Sequence, residues 1–360
     1  MILSKTRWFG AWTALALVLA GCARDGGGKA APADDDPEPV VTIDAAAQAR
    51  AIEEVRKLGG QITRDPAPAF APVISVLFFR ETIADEDVHW LEALQGLREL
   101  EINDTPVSGT GLKHLAGLPR LRRLELFNLP NFTEAGLEEL AKLTQLRSLM
   151  IGSLPVSDRR VRYLTGLKEL RELEMSNSWT HAGARIQDDS GPFTEATLED
   201  VAGLTKFRKL SLASQQLTDK GLTHLAGLRE MRVLRLGGPI TDDGLRQLAG
   251  LTRLEVLGLR GSEVTGDGLQ HLVALQQLRE LDLAQTPVTD DSLKGIAALK
   301  HLDHLEKLDL SDTFRLSDAG LGTLAALQQL KDLKLPGRLY AIEGPGLRAL
   351  RQALPRCEFR

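Results

Sequence analysis

The chain has little of what most catalytic and metal sites are built from. Its 360 residues include 2 cysteines, 7 histidines and 2 tyrosines, and aromatic residues make up 4%. So few cysteines exclude a scaffold held together by several disulfides. No GxSxG, HExxH, CxxC or Walker-type loop occurs, so the motifs of common nucleophile, zinc, redox and phosphate sites are missing. These absences favour a protein that is not an enzyme and needs no cofactor.

Strong positive charge is also lacking. The formal net charge is −5, with charged residues at 26% and hydrophobic residues at 43%, which is ordinary globular usage. Lys5 and Arg7 carry the charges of residues 1–21, so the chain without that segment is nearer −7. A general nucleic-acid partner is therefore disfavoured.

The chain contains a repeat of about 24 residues that can be written LxxLxLxxTxVTDxGLxxLAxL. Successive copies are separated by 24, 24, 25, 24, 37, 24, 23, 24, 27 and 25 residues. Eleven copies begin at Val73, Leu97, Leu121, Leu146, Leu170, Phe207, Met231, Leu254, Leu278, Leu305 and Leu330. A fixed period in this range predicts a solenoid, in which each copy stacks on its neighbours.

Each copy has two hydrophobic periods. Leu100 and Ile102 alternate with polar residues, which predicts a short strand with its aliphatic side chains inside. Leu112, Leu115 and Leu118 recur every three residues, which predicts a helical stripe. A single copy has no second layer to cover its leucines, so stacking must supply one.

A Thr-Asp or Ser-Asp pair stands where each helix should begin. The hydroxyl can cap free backbone N–H groups, and a carboxylate in the first turn is favoured by the helix dipole. Because the Asp recurs, we interpret it as structural rather than catalytic. The pairs are Ser157-Asp158, Thr218-Asp219, Thr241-Asp242, Thr289-Asp290 and Ser317-Asp318.

The LxxLxL core and its period resemble the leucine-rich repeat family. The resemblance implies an α/β solenoid or horseshoe of about eleven strand-helix repeats over residues 73–353, with a parallel inner sheet and helices on the convex side. The TDxGL repeats are also similar to those of substrate receptors in F-box ubiquitin ligases. The F-box itself is missing, because the single helix predicted before the repeats cannot supply a domain of several helices.

Both ends of the array need covers. Residues 44–72 are predicted to form an N-terminal capping helix region, in which Ile52, Val55 and Leu58 share one stripe and Gly59-Gly60 ends the helix. Residues 354–360 are predicted to form a C-terminal cap, with Cys357 as a core residue on the last strand.

The first 21 residues have the layout of a secretory signal. Lys5 and Arg7 precede an apolar run from Trp8 to Ala20 that is short for a membrane span. The run ends in Leu-Ala-Gly-Cys22, which resembles the lipobox of bacterial lipoproteins and implies a lipid on Cys22. An ordinary cleaved signal followed by a chance cysteine is the alternative.

The resemblance to lipoproteins also implies a location. The protein would be secreted through the inner membrane and lipid-anchored at the outer membrane, in the periplasm or at the cell surface, since Ala23 rather than Asp follows the lipidated cysteine. Residues 22–43 lack an apolar period and are predicted to be a disordered tether. The acidic run Asp34-Asp35-Asp36 is then a solvated spacer, with a metal site as the alternative.

Two departures from the repeat mark candidate ligand-binding residues. An insertion at residues 176–192 follows the inner strand of the fifth copy and contributes Trp179, His181 and Arg185, although a tolerated surface insertion remains open. The second departure is an apolar group on the concave face, formed by Leu77, Phe79, Phe127 and Met150. Leu77 and Phe79 could instead pack under the N-terminal cap.

The concave face is also divided by sign. Lys209, Arg235 and Arg260 are predicted to form a basic column without an acid in the same three strands. Strands before them carry the acidic residues Glu99, Glu101, Glu125, Glu172 and Glu174. Such a division suits a polar or protein ligand.

The histidines carry little functional signal. His114, His224 and His271 fall at one helix position and should face solvent, and His301 with His304 lacks a third metal ligand. The leading hypothesis is a non-enzymatic module that recognises a protein or glycan. The alternatives are a self-associating structural component of the envelope and, less favoured, an enzyme with chemistry in the insertion around His181, Asp188 and Asp189.

Overall fold

The strands of residues 41–360 form one sheet whose spatial order follows the chain order. The computed structural model describes residues 38–66, 71–80, 83–152, 161–176, 193–214 and 216–360, and residues 41–360 make up a compact unit separate from residues 1–40. The strands are β1 (Gln61–Arg64), β2 (Val73–Phe79), β3 (Glu99–Asn103), β4 (Arg123–Phe127), β5 (Ser148–Gly152), β6 (Glu172–Ser176), β7 (Lys209–Ala213), β8 (Val233–Leu236), β9 (Val256–Gly258), β10 (Glu280–Asp282), β11 (Lys307–Asp309), β12 (Asp332–Lys334) and β13 (Glu358–Phe359).

The parallel register repeats from β2 to β13. Leu100 of β3 pairs with Val76 of β2 and with Leu124 of β4, and the same in-register pairing continues to the end of the sheet. Strands β2 to β12 correspond to the eleven copies read from the sequence. The α/β leucine-rich repeat solenoid is therefore confirmed, with an open sheet that does not close on itself.

The repeated leucines form one continuous core. Strand residues such as Leu100 and Ile102 have no exposed surface, and neither do Leu112, Leu115 and Leu118 of the second layer. Each fully buried Leu or Ile contributes roughly 1.5–3 kcal/mol. The strand side chains that alternate with these core residues form the opposite face of the sheet, here called the open face, which is the face expected to be concave.

The second layer consists mostly of 3₁₀ segments with a few α-helices, so the helical stripe predicted from the spacing of three is present largely in its tighter form. A 3₁₀ segment rises about 2.0 Å per residue, so it crosses a short repeat with fewer residues than an α-helix. The 3₁₀ segments are Asp85–Ala93, Thr110–Leu115, Arg162–Gly166, Thr223–Leu225, Gly244–Leu248, Asp267–Ala274, Ala298–His301 and Asp318–Ala326. The α-helices are α1 (Ala45–Lys57), α2 (Glu134–Leu140), α3 (Glu195–Val201), α4 (Asp219–Leu222), α5 (Leu293–Ala297), α6 (Gly337–Ile342) and α7 (Pro345–Ala353).

The hydroxyl of the Thr-Asp pair caps its own segment in several repeats. Ser317 accepts a hydrogen bond from Ala319 N at 3.2 Å, and Thr241 accepts one from Asp243 N at 3.3 Å. At Thr218 the expectation is wrong, because its hydroxyl donates to Glu195 at 2.7 Å instead.

The carboxylate of the pair serves the following repeat rather than only its own first turn. Asp219 accepts hydrogen bonds from Thr241 N at 2.8 Å and Thr241 Oγ1 at 2.6 Å. Asp318 accepts from Gly346 N at 2.7 Å. Within the described repeats the same arrangement occurs at Asp85, Asp219, Asp242, Asp290 and Asp318. The repeated Asp therefore joins neighbouring repeats.

Covers lie at both ends of the sheet. Helix α1 is capped by Asp44, whose side chain accepts hydrogen bonds from Ala46 N and Ala47 N, and the helix buries Ile52 and Val55. Strand β1 pairs antiparallel with β2, an element that the sequence analysis did not anticipate. At the other end, Cys357 is half-buried rather than a full core residue, and it precedes β13.

Candidate functional site

The open face carries side chains that differ from strand to strand, unlike the core beneath it. Because the strands are in register, these side chains form rows that cross the sheet. In the middle row Leu77, Glu101, Glu125, Met150 and Glu174 occupy consecutive strands. This non-recurring face is the candidate site.

Strands β3 to β6 give the open face an acidic half. Arg123 lies among Glu99, Glu125 and Glu172, and its Nε donates to Glu125 at 2.7 Å. Burial lowers the pKa of the Arg123 guanidinium, but the charges of Glu125, Glu172 and Glu99 outweigh it and raise that pKa. The electrostatic potential around Arg123 is therefore negative.

Lys209, Arg235 and Arg260 are displaced from one another instead of forming a column. Lys209 pairs in register with Val233, Arg235 pairs with Gly258, and Arg260 follows the end of β9. From each strand to the next, the cation therefore lies about two residues further along its strand. The three cations lie on a diagonal across the sheet.

Each of these cations also has an acidic partner, although the three strands that carry the cations contain no acid, as the sequence analysis predicted. Lys209 Nζ lies 3.1 Å from Glu174, Arg235 3.7 Å from Glu280 and Arg260 3.4 Å from Asp312. The partners come from strands or loops outside the three that carry the cations. The basic half of the face is therefore a set of half-exposed ion pairs.

The apolar residues of the open face lie near each other but are interrupted. Phe79 and Phe127 share a row with Asn103 between them, and Met150 stands between two glutamates. Phe79 is 45% exposed and carries the Arg80 guanidinium 5.0 Å from its ring centre, while Phe127 and Met150 are half-buried. The structure therefore places Phe79, Phe127 and Met150 on one face, separated from one another by polar residues.

Several candidate residues lie outside the described part of the chain. These are Cys22 and the insertion residues Trp179, His181 and Arg185. The insertion begins directly after β6, and the described chain resumes at Phe193, which is buried. It is therefore attached beside the acidic half of the open face.

Two features of the face escaped the sequence analysis. Asp282 and Asp309 are neighbours in register on β10 and β11, and Lys334 Nζ lies 3.1 Å from Asp309. Burial raises the pKa of Asp282, the backbone N–H of Ala284 lowers it, and the Asp309 charge raises it again, so that the pKa lies above its ordinary value. The repeated LDL in the two strands is a signal that could have revealed this pair.

The second missed feature is a row of left-handed residues just beyond the strands. Arg80, Asp104 and Asn128 have φ of 59°, 56° and 50°. Arg80 Nε lies 3.4 Å from Asp104 Oδ2, and Asn128 donates to the other oxygen of Asp104. A positive φ in a non-glycine residue is strained and concentrates at functional sites, but no sequence motif marks it.

Two of the histidines considered in the sequence analysis have side-chain partners. His114 Nδ1 lies 2.5 Å from Glu92, and His271 Nε2 accepts from Arg246 at 3.1 Å, so His114 and His271 are not simply solvent-facing. Across the described residues, no three His, Cys, Asp or Glu side chains are grouped to hold a metal ion. A surface depression of about 510 Å³ lies between α1 and β1, away from the open face.

Comparisons with known proteins identify the same fold. No protein-family model and no curated protein matches the sequence. The structure is similar to an internalin, inlF, of Listeria monocytogenes, at 18% identity and a TM-score of 0.55, covering 91% of this chain and 98% of that chain.

Two further solved structures are less similar. A leucine-rich repeat protein of Leptospira interrogans matches at 16% identity and a TM-score of 0.42, covering 76% of this chain and 74% of that one. Internalin C2 of Listeria monocytogenes matches at 19% identity and 0.33, covering 85% and 100%. Within the described part of the chain, no helix combines the length and apolar character needed to cross a membrane.

Proposed function

We propose, on the premise of a leucine-rich repeat fold shared with bacterial proteins, that this chain is a non-enzymatic recognition module. It binds a protein or glycan through the open face and the insertion at residues 176–192. The observation that carries the proposal is the division of the open face into an acidic half and a half of exposed ion pairs. A rigid face with separated charges favours one orientation of a charged partner.

The non-recurring character of the face supports this role. Core leucines, the Asp of the Thr-Asp pair and the repeated Gly are explained by stacking, because each contacts the neighbouring repeat. The middle row of the open face, by contrast, holds a different residue type in one strand after another, with no shared structural role. Its members include Glu101, Met150, Ser211 and Arg235. Variation at one structural position on an exposed face is typical of a binding surface.

The ion pairs of the basic half can be exchanged for contacts with a partner. The side chains of Lys209 and Glu174 are 31% and 24% exposed, and those of Arg235 and Glu280 are 37% and 29% exposed. Ion pairs of this exposed kind stabilise by about 0–1 kcal/mol. Replacing them with a partner's charges therefore costs the fold little.

The acidic half favours a partner segment that is basic and partly apolar. Phe79, Phe127 and Met150 offer apolar contacts between Glu101, Glu125 and Glu174. Phe79 already holds a guanidinium against its ring, an arrangement that a partner arginine could also adopt. Trp179, His181 and Arg185 of the insertion are proposed as further contacts for this partner.

We further propose that the protein is anchored in a bacterial envelope through a lipid on Cys22. Residues 1–21 would serve as the lipoprotein signal and residues 22–43 as the tether. Support comes from the basic start, the apolar run and the LAGC ending of the sequence. Acyl chains bury at ~0.8 kcal/mol per CH₂, so more than one chain makes such an anchor stable.

The anchor is tested by Cys22→Ser in cells. We expect loss of metabolic labelling with a fatty acid and loss of the protein from the membrane fraction. A variant that is still labelled and still sediments with membranes would contradict the anchor while leaving the proposal for the open face intact.

The open face is tested by crosslinking in the native envelope followed by mass spectrometry. One variant carries Glu101→Gln, Glu125→Gln and Glu174→Gln, and a second carries Lys209→Gln, Arg235→Gln and Arg260→Gln. The matched control changes the exposed ion pair Lys142–Glu139, whose atoms lie 2.8 Å apart on the other side of the molecule. We expect both open-face variants to lose a crosslinked partner that the wild type and the control retain.

Thermal unfolding of all four proteins checks that the fold is kept. Capture of the same partner by every variant would contradict recognition through the open face.

A further inference from the structure

Two large apolar side chains project into solvent near the C-terminal end of the array. Phe314 follows β11 and is 79% exposed, and Ile342 is the last residue of α6 and is 67% exposed. Of the large apolar side chains in the part of the chain that the structure describes, only Val40 is more exposed. The buried leucines of the same repeats have almost no exposed surface, so stacking of the repeats does not explain Phe314 and Ile342.

The loop that carries Phe314 departs from the repeat by one residue. In the ninth copy a single residue, Pro287, separates a buried threonine from a buried valine. In the tenth copy Phe314 and Arg315 both stand between the buried Thr313 and Leu316. The threonine hydroxyl donates to the carbonyl three residues earlier in both copies, at 2.6 Å and 2.7 Å. The loop therefore folds without the extra residue.

Neighbouring repeats hold this loop on both sides. Arg338 of the next repeat donates from Nη2 to Thr313 O at 3.1 Å and also to Leu316 O, the carbonyls at the two ends of the loop. Arg315 forms an isolated β-bridge with Thr289 of the preceding repeat. The exposed aromatic ring is therefore presented on a loop that is fixed in place.

Helix α6 brings further residues to the same surface. Ile342 lies four residues after Arg338, so the two side chains share one side of the helix. The next residue, Glu343, accepts a hydrogen bond on its carbonyl from Arg348 Nη1 at 2.8 Å. The five residues joined by these contacts, here called the tip patch, are Phe314, Arg315, Arg338, Ile342 and Arg348.

The three arginines of the tip patch are exposed and are not neutralised by an acid. Over the described residues, no carboxylate lies within ion-pair distance of any of them, and the carbonyls that hold Arg338 and Arg348 carry no charge. The acids closest along the chain are engaged elsewhere. Asp312 lies 3.4 Å from Arg260, and Glu343 lies 3.0 Å from Arg351. The tip patch therefore combines two apolar side chains with three positive charges.

The C-terminal segment as a whole is basic, although the chain is acidic. Residues 335–360 hold five arginines, two glutamates and no lysine or aspartate, so their formal side-chain charge is +3. The complete sequence has a formal net charge of −5. A charge asymmetry of this kind indicates an anionic partner for the basic end.

We propose that the tip patch docks on the surface of an anionic lipid bilayer. Phe314 and Ile342 enter the interfacial region, where apolar side chains leave water. Arg315, Arg338 and Arg348 bind lipid phosphates by charge-assisted hydrogen bonds. A bilayer offers phosphate and hydrocarbon side by side, which is the combination that the tip patch matches.

Other partners fit the tip patch less well. The residues that dominate protein interfaces lie in packed centres from which their neighbours exclude water, whereas Phe314 and Ile342 project singly into solvent. A bilayer deforms around such side chains and needs no complementary pocket. An acidic glycan would use the arginines and leave Ile342 without a contact.

The test places an environment-sensitive fluorophore, nitrobenzoxadiazole, at position 314. The full chain carries Cys22→Ser and Cys357→Ala, so that neither a lipid nor a native thiol contributes, and Phe314→Cys receives the label. Vesicles contain phosphatidylglycerol with phosphatidylcholine or phosphatidylcholine alone, with or without a doxyl lipid that quenches the label on contact. The reference position is Val273→Cys, because Val273 is an apolar residue of an earlier repeat and is 36% exposed.

A charge variant and a matched control are compared in the labelled chain. The charge variant adds Arg315→Gln, Arg338→Gln and Arg348→Gln. Glutamine keeps an N–H donor for backbone carbonyls, as Gln145 does toward Leu115 O at 3.1 Å. The control removes the same charge from three exposed cations of other repeats, by Lys113→Gln, Lys220→Gln and Arg229→Gln.

We expect the label at position 314 to brighten at least about twofold in anionic vesicles and to be quenched there by the doxyl lipid. Neutral vesicles and the label at position 273 should give neither effect. The charge variant should need at least about tenfold more anionic lipid than its parent, and the control should stay within about twofold of it. Circular dichroism melting verifies that each variant is folded, and the comparison of the two label positions does not depend on the charge variant.

An unchanged label at position 314, equal quenching at positions 314 and 273, or an equal response in neutral vesicles would overturn the proposal. Equal weakening by the charge variant and the control would also overturn it. A photoactivatable label at position 314 that joins a protein rather than lipid in the native envelope would overturn it in favour of a protein partner.

The outcome is independent of the proposed function. Cys22→Ser removes the proposed anchor from every labelled chain. The variant with Glu101→Gln, Glu125→Gln and Glu174→Gln retains the tip patch, so the label at position 314 should respond in it as in the parent, whether or not its crosslinked partner is lost.

Discussion

The carboxylate of Asp242 accepts a hydrogen bond from the backbone N–H of Gly268 at 3.0 Å, across the boundary between two repeats. The approach is so close that a Cβ on Gly268 would lie 2.6 Å from the Cβ of Asp242. The Asp and the Gly of the TDxGL repeat are therefore two sides of one contact. Gly244 approaches Asp219 and Gly320 approaches Asp290 in the same way.

Gly268→Ala should therefore destabilise the protein. An added methyl group must push the two repeats apart, and overpacking of this kind costs typically 1–3 kcal/mol. Gly117→Ala is the matched control, because a Cβ there meets no atom within 4 Å. Denaturant unfolding measures both, and equal stabilities for the two variants would contradict the close-contact explanation of the repeated glycine.

Asp242→Ala should be among the more damaging single substitutions on the surface. Its carboxylate accepts hydrogen bonds from Thr265 Oγ1 at 2.5 Å, Thr265 N at 3.3 Å, Gly266 N at 3.3 Å and Gly268 N at 3.0 Å. Hydrogen bonds to charged groups contribute about 1.5–3 kcal/mol each, and the bonds of one carboxylate are not additive, so we expect a loss of about 2–4 kcal/mol.

The neighbouring Asp243→Ala is the control. Its side chain is 77% exposed and makes an ion pair with Arg246 at 3.3 Å, so its loss should change stability by less than about 0.5 kcal/mol. Comparable losses at the two positions would show that the carboxylate between repeats has no special role.

Asp85 and Asp282 should respond to pH in opposite directions. Burial raises the pKa of Asp85, but hydrogen bonds from Gly111 and Ser108 lower it below the ordinary 3.8. A depressed folded-state pKa means that the stabilisation is present above the unfolded-state pKa and is lost as the pH falls through the folded value. Asp85→Asn should therefore lower stability at pH 7 and have little effect near pH 2.

The pKa of Asp282 is raised, chiefly by burial and then by Asp309, against the N–H of Ala284. The charged carboxylate of Asp282 therefore destabilises the folded protein above the folded-state pKa. This destabilisation disappears below the unfolded-state pKa. Asp282→Asn should raise stability at pH 7 and lose that advantage near pH 2. Unfolding curves across this range check both residues, and matching pH profiles for the two variants would contradict the assignment.

The Cys357 thiol should be slow to react at neutral pH. Burial, followed by the charges of Asp332 and Glu358, raises its pKa to about 11, and the thiolate is the reactive form. In a Cys22→Ser chain Cys357 is the sole cysteine. Alkylation should speed up as the pH rises toward about 11, and unfolding in denaturant should accelerate it at pH 7.

Asp332→Asn should lower the pKa of Cys357 and shift the alkylation profile toward lower pH, because a nearby negative charge is removed. An unshifted alkylation profile would show that the charge of Asp332 does not contribute to the raised pKa of Cys357.

The strands were predictable because their signal is local. Leu100, Ile102 and their counterparts alternate along the chain, and a one-residue slip would turn every core side chain outward. The second layer was predicted as helical, but its helix type was not, since a stripe with a spacing of three suits an α-helix and a 3₁₀ segment alike. Strand β1 was missed because four residues give too short a pattern to recognise.

The residue types on the open face could be predicted from the sequence, but their ion-pair partners could not. The exposure of Phe79 and the acidic strands followed from alternation. The partners of Arg235 and Arg260 did not, because Glu280 lies two strands away and Asp312 lies 52 residues from Arg260 along the chain.

The hydrogen bonds between Asp and the following repeat all point in one direction along the chain. Each of these five aspartates accepts hydrogen bonds from donors in the repeat that follows it. Removal of one whole unit, such as residues 241–264, would bring Asp219 to the donors of Thr265 that Asp242 now serves. The part of the array joined by these aspartates can therefore gain or lose complete units during evolution while each remaining aspartate keeps donors in the next repeat, so that its length is free to vary even though its period is not.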